Sequence, residues 1–396
     1  MVIFHQKENK VMELSNRIRL ARPLATTAMH GRVEQLKAGG QEIIDLSIAL
    51  SNHSAPQAVI QRTAEGLRTI CQPYTSVVGA GHLRGQLVQK LHAENRIEAR
   101  PDEIIVTNGA KQAVYEALYV LTDPGDEVII FRPYWPAYIA AVELLGLRPV
   151  LVDLPARITA STLAELPRAK VVIINSPHNP TGRVLSASEL ACLKDWIAAN
   201  KSYAICDESY EKLVFEGGHI SLASQCDWRR LGIISIFSAS QSYAMMGWRV
   251  GFALAPAAVV RAMETLQGPI TAAASALTQI AAEAAFTSGD PKVMLEDYRV
   301  RRKIAMDMFS GVPWIKMRSP EAGPYLWGDI SALTSDTVDF SEQLLEHERI
   351  AVMPGEALGV KGHIRLSFIS DDADTLRRGV AGIIRFGDRF AGARDR

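Results

Sequence analysis

Seven short apolar runs, at 104–107, 127–131, 149–153, 171–175, 203–207, 233–237 and 250–254, constrain this chain more than any other feature. Most are continuously apolar rather than alternating, as strands covered on both faces must be, and most of the segments between them are long enough for helical crossovers. The pattern predicts an α/β fold built on a mainly parallel, seven-stranded sheet. From Gly289 onward the pattern changes. A long charged helix is expected over 291–309, then shorter strands at 325–329 and 363–368, and a final helix from residue 371. These predict a second, smaller α+β domain, joined from the N-terminal side by the segment around 43–50. The expected division is 1–55 with 289–396 for the small domain and its N-terminal arm, and 56–288 for the large domain. No internal repeat or low-complexity segment interrupts this organisation.

The charge balance narrows the partners. Among 396 residues, 43 basic side chains offset 43 acidic ones, and no basic block stands out, which argues against nucleic acid or an anionic membrane surface. Nothing before residue 30 has the pattern of a helix-turn-helix domain. Small, charge-selective ligands remain open. Residues 1–13 mix His5, Lys7, Glu8 and Lys10 with apolar residues and do not read as a secretory leader. No stretch is long and apolar enough to span a bilayer. Cys71, Cys192, Cys206 and Cys226 lie apart without a C-x-x-C spacing, so neither a zinc site nor a disulfide framework is expected, and a cytoplasmic location fits.

Residues able to carry chemistry gather at the ends of the apolar runs, where open α/β sheets bind ligands. Thr107-Asn108-Gly109-Ala110-Lys111 opens a helix after the first run, and its small residues allow backbone N–H groups to approach a phosphate. Alone, that fragment is an ordinary strand-to-helix turn. In Pro133-Tyr134-Trp135-Pro136 a flat indole follows the second run, suited to stacking on a heteroaromatic ring or to plain packing. Asn175-Ser176-Pro177-His178-Asn179-Pro180-Thr181-Gly182 is far more specific: two proline-containing turns present the Asn179 amide at the sheet edge. Cys206-Asp207-Glu208-Ser209-Tyr210 ends another run with a carboxylate fit to pair with a pyridinium nitrogen, and Tyr210 follows three residues on. Singly, Asp207 reads as a helix cap and Tyr210 as a core aromatic.

Taken in order, the two motifs just given, Ser238-Ala239-Ser240-Gln241-Ser242-Tyr243-Ala244-Met245-Met246-Gly247-Trp248-Arg249 and His363-Ile364-Arg365-Leu366-Ser367-Phe368 resemble the class I and II aminotransferases, pyridoxal-phosphate enzymes of fold type I, across essentially the whole chain. The resemblance implies a cofactor phosphate held by Gly109, Ala110, Lys111, Ser238, Ser240 and Arg249. It implies Trp135 stacked on the ring, Asp207 on its nitrogen, and Asn179 and Tyr210 on its phenolic oxygen. Arg365 matches the arginine that clamps the substrate α-carboxylate, with Asn179, Ala49 and Trp135 beside it. Tyr74 matches a tyrosine that reaches the phosphate of the neighbouring subunit, which implies a homodimer with shared sites. His178 falls at a variable family position and is expected at the surface or in a supporting layer.

One position departs decisively. Gln241 stands where the family carries the lysine that links the cofactor covalently and moves the substrate proton. A carboxamide nitrogen is delocalised and does neither. The expectation is therefore non-covalent binding of pyridoxal 5′-phosphate, of pyridoxamine phosphate or of an external aldimine, with transamination strongly impaired. Three explanations stay open: an aminotransferase whose lysine was exchanged, inactivating it or trapping an adduct; a natural lysine-less enzyme with another base; and a non-catalytic ligand-binding homologue. Two further departures lie on the substrate side. Ala49-Leu50-Ser51-Asn52-His53 replaces a Gly-x-Pro-Asp-Phe type sequence, and Gly323-Pro324-Tyr325 replaces a Gly-Ala-aromatic one. Arg17, Arg19 and Arg22 suit either a second substrate carboxylate or, more commonly, solvated surface charge. The substrates implied are an L-amino acid and a 2-oxo acid.

Overall fold

The computed structural model describes residues 15, 18, 23–69, 74–369 and 372–394. Residues 1–13, the arginines at 17, 19 and 22, and Cys71 lie outside the described residues. Each of the seven apolar runs forms a strand: β2 (Ile104–Thr107), β3 (Glu127–Arg132), β4 (Arg148–Asp153), β5 (Val171–Asn175), β6 (Tyr203–Asp207), β7 (Ile233–Ser238) and β8 (Gly251–Leu254). They make one sheet in the order β2-β8-β7-β6-β5-β3-β4. All pairings are parallel except those of β8, which runs antiparallel to both β7 and β2.

Continuous apolarity follows from burial on both faces. Ile129, Val172, Ala204 and Phe237 pack into one core, and their chain neighbours Val128, Ile130, Ile173, Ile205 and Ile236 into another across the sheet. Successive strand residues point to opposite faces, so both parities must be hydrophobic.

A third core is separate in space, and Leu46, Ala49, Leu326, Leu344, Ile364, Leu366 and Val380 belong to it. Around it lie β1 (Ile44–Asp45), β9 (Lys316–Met317), β10 (Tyr325–Asp329), β11 (Ile350–Ala351), β12 (Met353–Pro354) and β13 (His363–Ser367). β12-β13-β10-β9 form an antiparallel sheet, while β1 pairs in parallel with β11, Ile44 opposite Ile350. The helix expected from residue 291 begins at Lys292, with Pro291 outside it as N-cap. The last helix begins at Ala373, where the Asp372 carboxylate accepts the Thr375 N–H at 2.7 Å; residue 371, where it was expected to start, lies outside the described residues.

Candidate active site

β5, β6 and β7 end at Asn175, Asp207 and Ser238, and beside these ends opens a cavity of about 490 Å³. Of the residues singled out by sequence, Ala49, Ala110, Lys111, Trp135, Asn179, Asp207, Tyr210, Ser238, Ser240, Gln241, Arg249 and Arg365 line it. Gly109 does not, but it lies behind Arg249. Its φ is +81°, in the left-handed region that favours glycine, and a Cβ there would fall 2.4 Å from the Arg249 Nη2 and push that side chain aside. Tyr74 is also absent from the lining and stands 96% exposed.

Asp207 is buried at the end of β6. Its Oδ1 accepts the Ser209 N–H at 3.1 Å and the Ser209 hydroxyl at 2.6 Å, and its Oδ2 accepts the Tyr138 hydroxyl at 2.7 Å. Burial raises the carboxyl above the ordinary aspartate range, against the opposing pull of these hydrogen bonds. Burial also pushes the Tyr138 hydroxyl well above its usual value, with the Asp207 charge adding to the effect, so Tyr138 stays a donor. No helix starts at Asp207, so the cap reading fails: one oxygen holds the turn that follows through Ser209 and the other takes the Tyr138 hydroxyl.

Asn179 is fixed by Asn175, whose Oδ1 accepts the Asn179 N–H at 2.8 Å and whose Nδ2 donates to the Asp207 carbonyl at 2.9 Å. The Asn179 amide donates to the Tyr210 hydroxyl at 3.4 Å and accepts from Arg365 Nη1 at 3.3 Å. Arg365, 2% exposed, also donates through Nη2 to the Ser47 carbonyl at 2.7 Å and lies 4.0 Å over the Tyr325 ring. Its Nε is buried without a hydrogen-bond partner among the described residues. At the other end Arg249 is exposed, with Nη1 donating to the Met246 carbonyl at 3.0 Å and the Ser240 hydroxyl at 3.4 Å, and Nη2 to the Asn108 carbonyl at 3.2 Å. Lys111 lies 5.4 Å over the Trp135 indole, and burial, then Arg249, lower its pKa below the lysine norm. Gln241 donates through Nε2 to the Ala49 carbonyl at 3.5 Å.

His178 is not at the surface. It is buried, with Nδ1 2.8 Å from the Thr181 hydroxyl, and burial with the Arg183 charge drives its pKa down to about 4. Several lining residues escaped sequence reasoning: Tyr138, Asn175, Ser209, Tyr325, and Thr26, Thr27 and His30 from the helix Ala25–Ala38. Tyr138 had a signal, since it lies three residues after Trp135 at the start of the helix Pro136–Leu144 and its ring meets the indole edge-on at 5.3 Å. His30 had none, because its partner Asp45, 3.7 Å away, belongs to a two-residue strand.

The architecture is that of a fold type I pyridoxal-phosphate transferase. The chain superposes on the aspartate aminotransferase from Thermus thermophilus with maleate at a TM-score of 0.89, with 29% identity, covering 95% of this chain and 100% of that one. Residues 41–383 match the family described as aminotransferase class I and II, and the chain belongs to that family. Aspartate aminotransferase from Geobacillus stearothermophilus is 33% identical over a 389-residue alignment that covers 95% of this chain and 99% of that protein. Aspartate/prephenate aminotransferase from Nitrosomonas europaea is 32% identical over 391 residues, 93% of this chain and 98% of that protein.

Proposed function

We propose that this chain binds pyridoxal 5′-phosphate or pyridoxamine 5′-phosphate non-covalently in the cavity at the strand ends, and that Gln241 stands in place of the amine on which transamination depends. One observation carries the reading. The side chain that enters the cavity just after β7 is a carboxamide, while Asp207, Asn179, Tyr210, Arg249 and Arg365 surround the same cavity.

The residues present fit a phosphorylated pyridine. Arg249, the Ser238 and Ser240 hydroxyls and the start of the helix Ala110–Leu121 gather donors at one end of the cavity, as a phosphate dianion requires. Asp207, held by Tyr138 and Ser209, offers a carboxylate to a ring nitrogen. The Tyr210 hydroxyl and Asn179 amide offer hydrogen bonds to a phenolic oxygen. Once bound with its nitrogen protonated, the ring supplies an electron sink for the pair left at a substrate Cα. Arg365, whose Nε has no hydrogen-bond partner among the described residues, binds an α-carboxylate. The names of the relatives favour a substrate bearing two carboxylates, such as aspartate. Gln241 hydrogen-bonds and occupies space, but it moves no proton near neutral pH.

The same reading includes a large domain over 56–288, a small domain over 1–55 and 289–396, a homodimer in which Tyr74 serves the partner's site, and a cytoplasmic location. Among the described residues no helix is long and apolar enough to cross a membrane.

The test is chemical. The purified chain is loaded with pyridoxal 5′-phosphate, treated with borohydride, dialysed and weighed. Cofactor should leave on dialysis, and the mass should remain that of the polypeptide. Stoichiometric fixation on Lys111 or any other lysine overturns the reading.

A further inference from the structure

Glu116 is buried on the helix Ala110–Leu121, whose start lies at the phosphate end of the cavity. Its Oε1 accepts Gln112 Nε2 at 2.7 Å, while its Oε2 is shielded and has no hydrogen-bond partner among the described residues. A carboxylate buried with one oxygen unpaired is costly. Burial accordingly raises the Glu116 carboxyl to about 7, against the pull of the Gln112 hydrogen bond. The elements packed against this helix bring no charge to offset it. Arg261 and Glu264 on the helix Ala257–Thr271, Tyr138 and Glu143 on the helix Pro136–Leu144, and Tyr203, Cys206 and Asp207 on β6 make no hydrogen bond or ion pair with it. The same holds for Lys111, Tyr115 and Tyr119 on its own helix, and β2, β7 and β8 carry no titratable residue.

Gln112 ties this carboxyl to the phosphate end. Its Oε1 accepts the Asn108 N–H at 2.8 Å and Asn108 Nδ2 at 2.7 Å, and the Asn108 carbonyl accepts Arg249 Nη2 at 3.2 Å. Turning the Gln112 amide over would set its oxygen against the oxygens of Glu116 and Gln267, 2.7 and 3.2 Å from its nitrogen, so its orientation is fixed. Glu116 follows Ala110 by six residues, about 9 Å along the helix axis at the usual rise. A charge at that range inside the protein is felt by an anion at the helix start.

We propose that Glu116 is a positioning residue for the cofactor phosphate: uncharged, it holds Gln112, Asn108 and through them Arg249 without opposing a bound anion, and once ionised it repels that anion from behind the helix start. The inference rests on the cofactor reading given above and adds that phosphate affinity is set by a proton on a side chain that does not line the cavity. Anion binding and loss of this proton oppose each other. Affinity is therefore full while Glu116 is protonated and falls as pH rises through the range in which it titrates.

The experiment is equilibrium dialysis of pyridoxamine 5′-phosphate, which has no aldehyde for lysines to capture, against the full chain and against Glu116→Gln, each stripped of ligand. The glutamine keeps an acceptor for Gln112 and does not ionise. Titration of the ligand and of Asp207 is common to both proteins and cancels in the ratio of their dissociation constants. That ratio, unmodified chain over variant, should lie close to one at about pH 5.5, well below the range in which Glu116 titrates. At about pH 8.5 it should reach about fivefold or more, the size expected for charges about 10 Å apart at an effective dielectric constant of about 20, partly screened by salt. Glu116→Met serves if the glutamine variant does not fold. A ratio that is the same at both pH values reduces Glu116 to packing and overturns the inference, as does a ratio that falls with pH. If neither folded protein binds the ligand at either pH, the cofactor reading itself has failed, and the inference with it.

Discussion

The two walls of the cavity are built in opposite ways. The first wall comes from strand ends and the turns that follow them, so several of its side chains are set by neighbours close in sequence, Asp207 by Ser209, Asn179 by Asn175 and Ser240 by Ser238, with Tyr138 on Asp207 and Asn108 on Arg249 as contacts from further off. The substrate wall is assembled from afar. Arg365 reaches it from β13, Tyr325 from β10, His30 from an N-terminal helix and Ala49 from the segment after β1, and helix Lys292–Phe309 holds that segment through Asp297, Tyr298 and Arg301. Gln241 belongs to the first wall and touches the second at Ala49. Cofactor retention and chemistry should therefore separate on substitution, with position 241 the place where they meet.

Gln241→Lys should give the largest effect. Positioned acid-base catalysis is typically worth about 10²- to 10⁴-fold. Regained covalent exchange adds to that, so turnover of an amino acid with a 2-oxo acid should rise by at least that range. A folded Lys variant that stays inert with aspartate and other common amino acids, and takes up no covalent cofactor, would place the defect in the substrate wall and break the contrast.

Asp207→Ala, made in the Gln241→Lys chain, comes next. It removes a buried carboxylate from its ionic partner, a change worth roughly 2–5 kcal/mol. Because the ring nitrogen's charge matters more as electrons flow into the ring than when it merely binds, kcat should fall by about 10²-fold or more, while cofactor affinity falls less. Equal kcat in the two backgrounds would show the ring oriented otherwise. Tyr138→Phe in the same background tests the support behind that carboxylate. Loss of one hydrogen bond to a charged group costs about 1.5–3 kcal/mol, so a drop in kcat of roughly tenfold or more with little change in KM is expected. A change confined to thermal stability would reduce Tyr138 to packing.

The same contrast decides what could be seen in the chain alone. Strands β2 to β8 were legible because burial on both faces demands unbroken apolar runs, and the gathering of one set of cavity-lining residues was legible because most of them sit a few residues beyond such a run. The antiparallel course of β8 left no mark, since a buried strand reads alike in either direction. Strands β1, β11 and β12 are two residues each, too short to show alternation, and the β1 pairing with β11 spans most of the chain. Tyr138 and Asp207 meet across 69 residues, a contact that only the folded sheet creates. Of the two places expected for His178, the surface is excluded, because the turn folds inward and buries it.

Tyr74→Phe should give the smallest effect, and it extends the cofactor wall beyond one chain. Its loop is tied down: Gln279 Nε2 donates to the Thr75 hydroxyl at 2.8 Å, Gln267 Nε2 to the Val77 carbonyl at 2.6 Å, and Val106 to the Val78 carbonyl at 3.0 Å. The segment that follows Tyr74 is anchored, and the ring itself is almost wholly exposed. Full exposure of an aromatic beside an anchored segment fits a residue whose contacts lie on another copy, and a two-fold assembly would complete two such sites at once. Losing its single hydroxyl contact to the phosphate should weaken cofactor binding only a few-fold, near the ~1 kcal/mol of an ordinary hydrogen bond. Sedimentation should show the dimer intact in the Phe variant, while substitutions that split the dimer should weaken cofactor retention more than Tyr74→Phe does, although they touch no residue of the same chain's cavity. Cofactor affinity unchanged in a verified monomer would close the cofactor wall within a single chain and return Tyr74 to the surface.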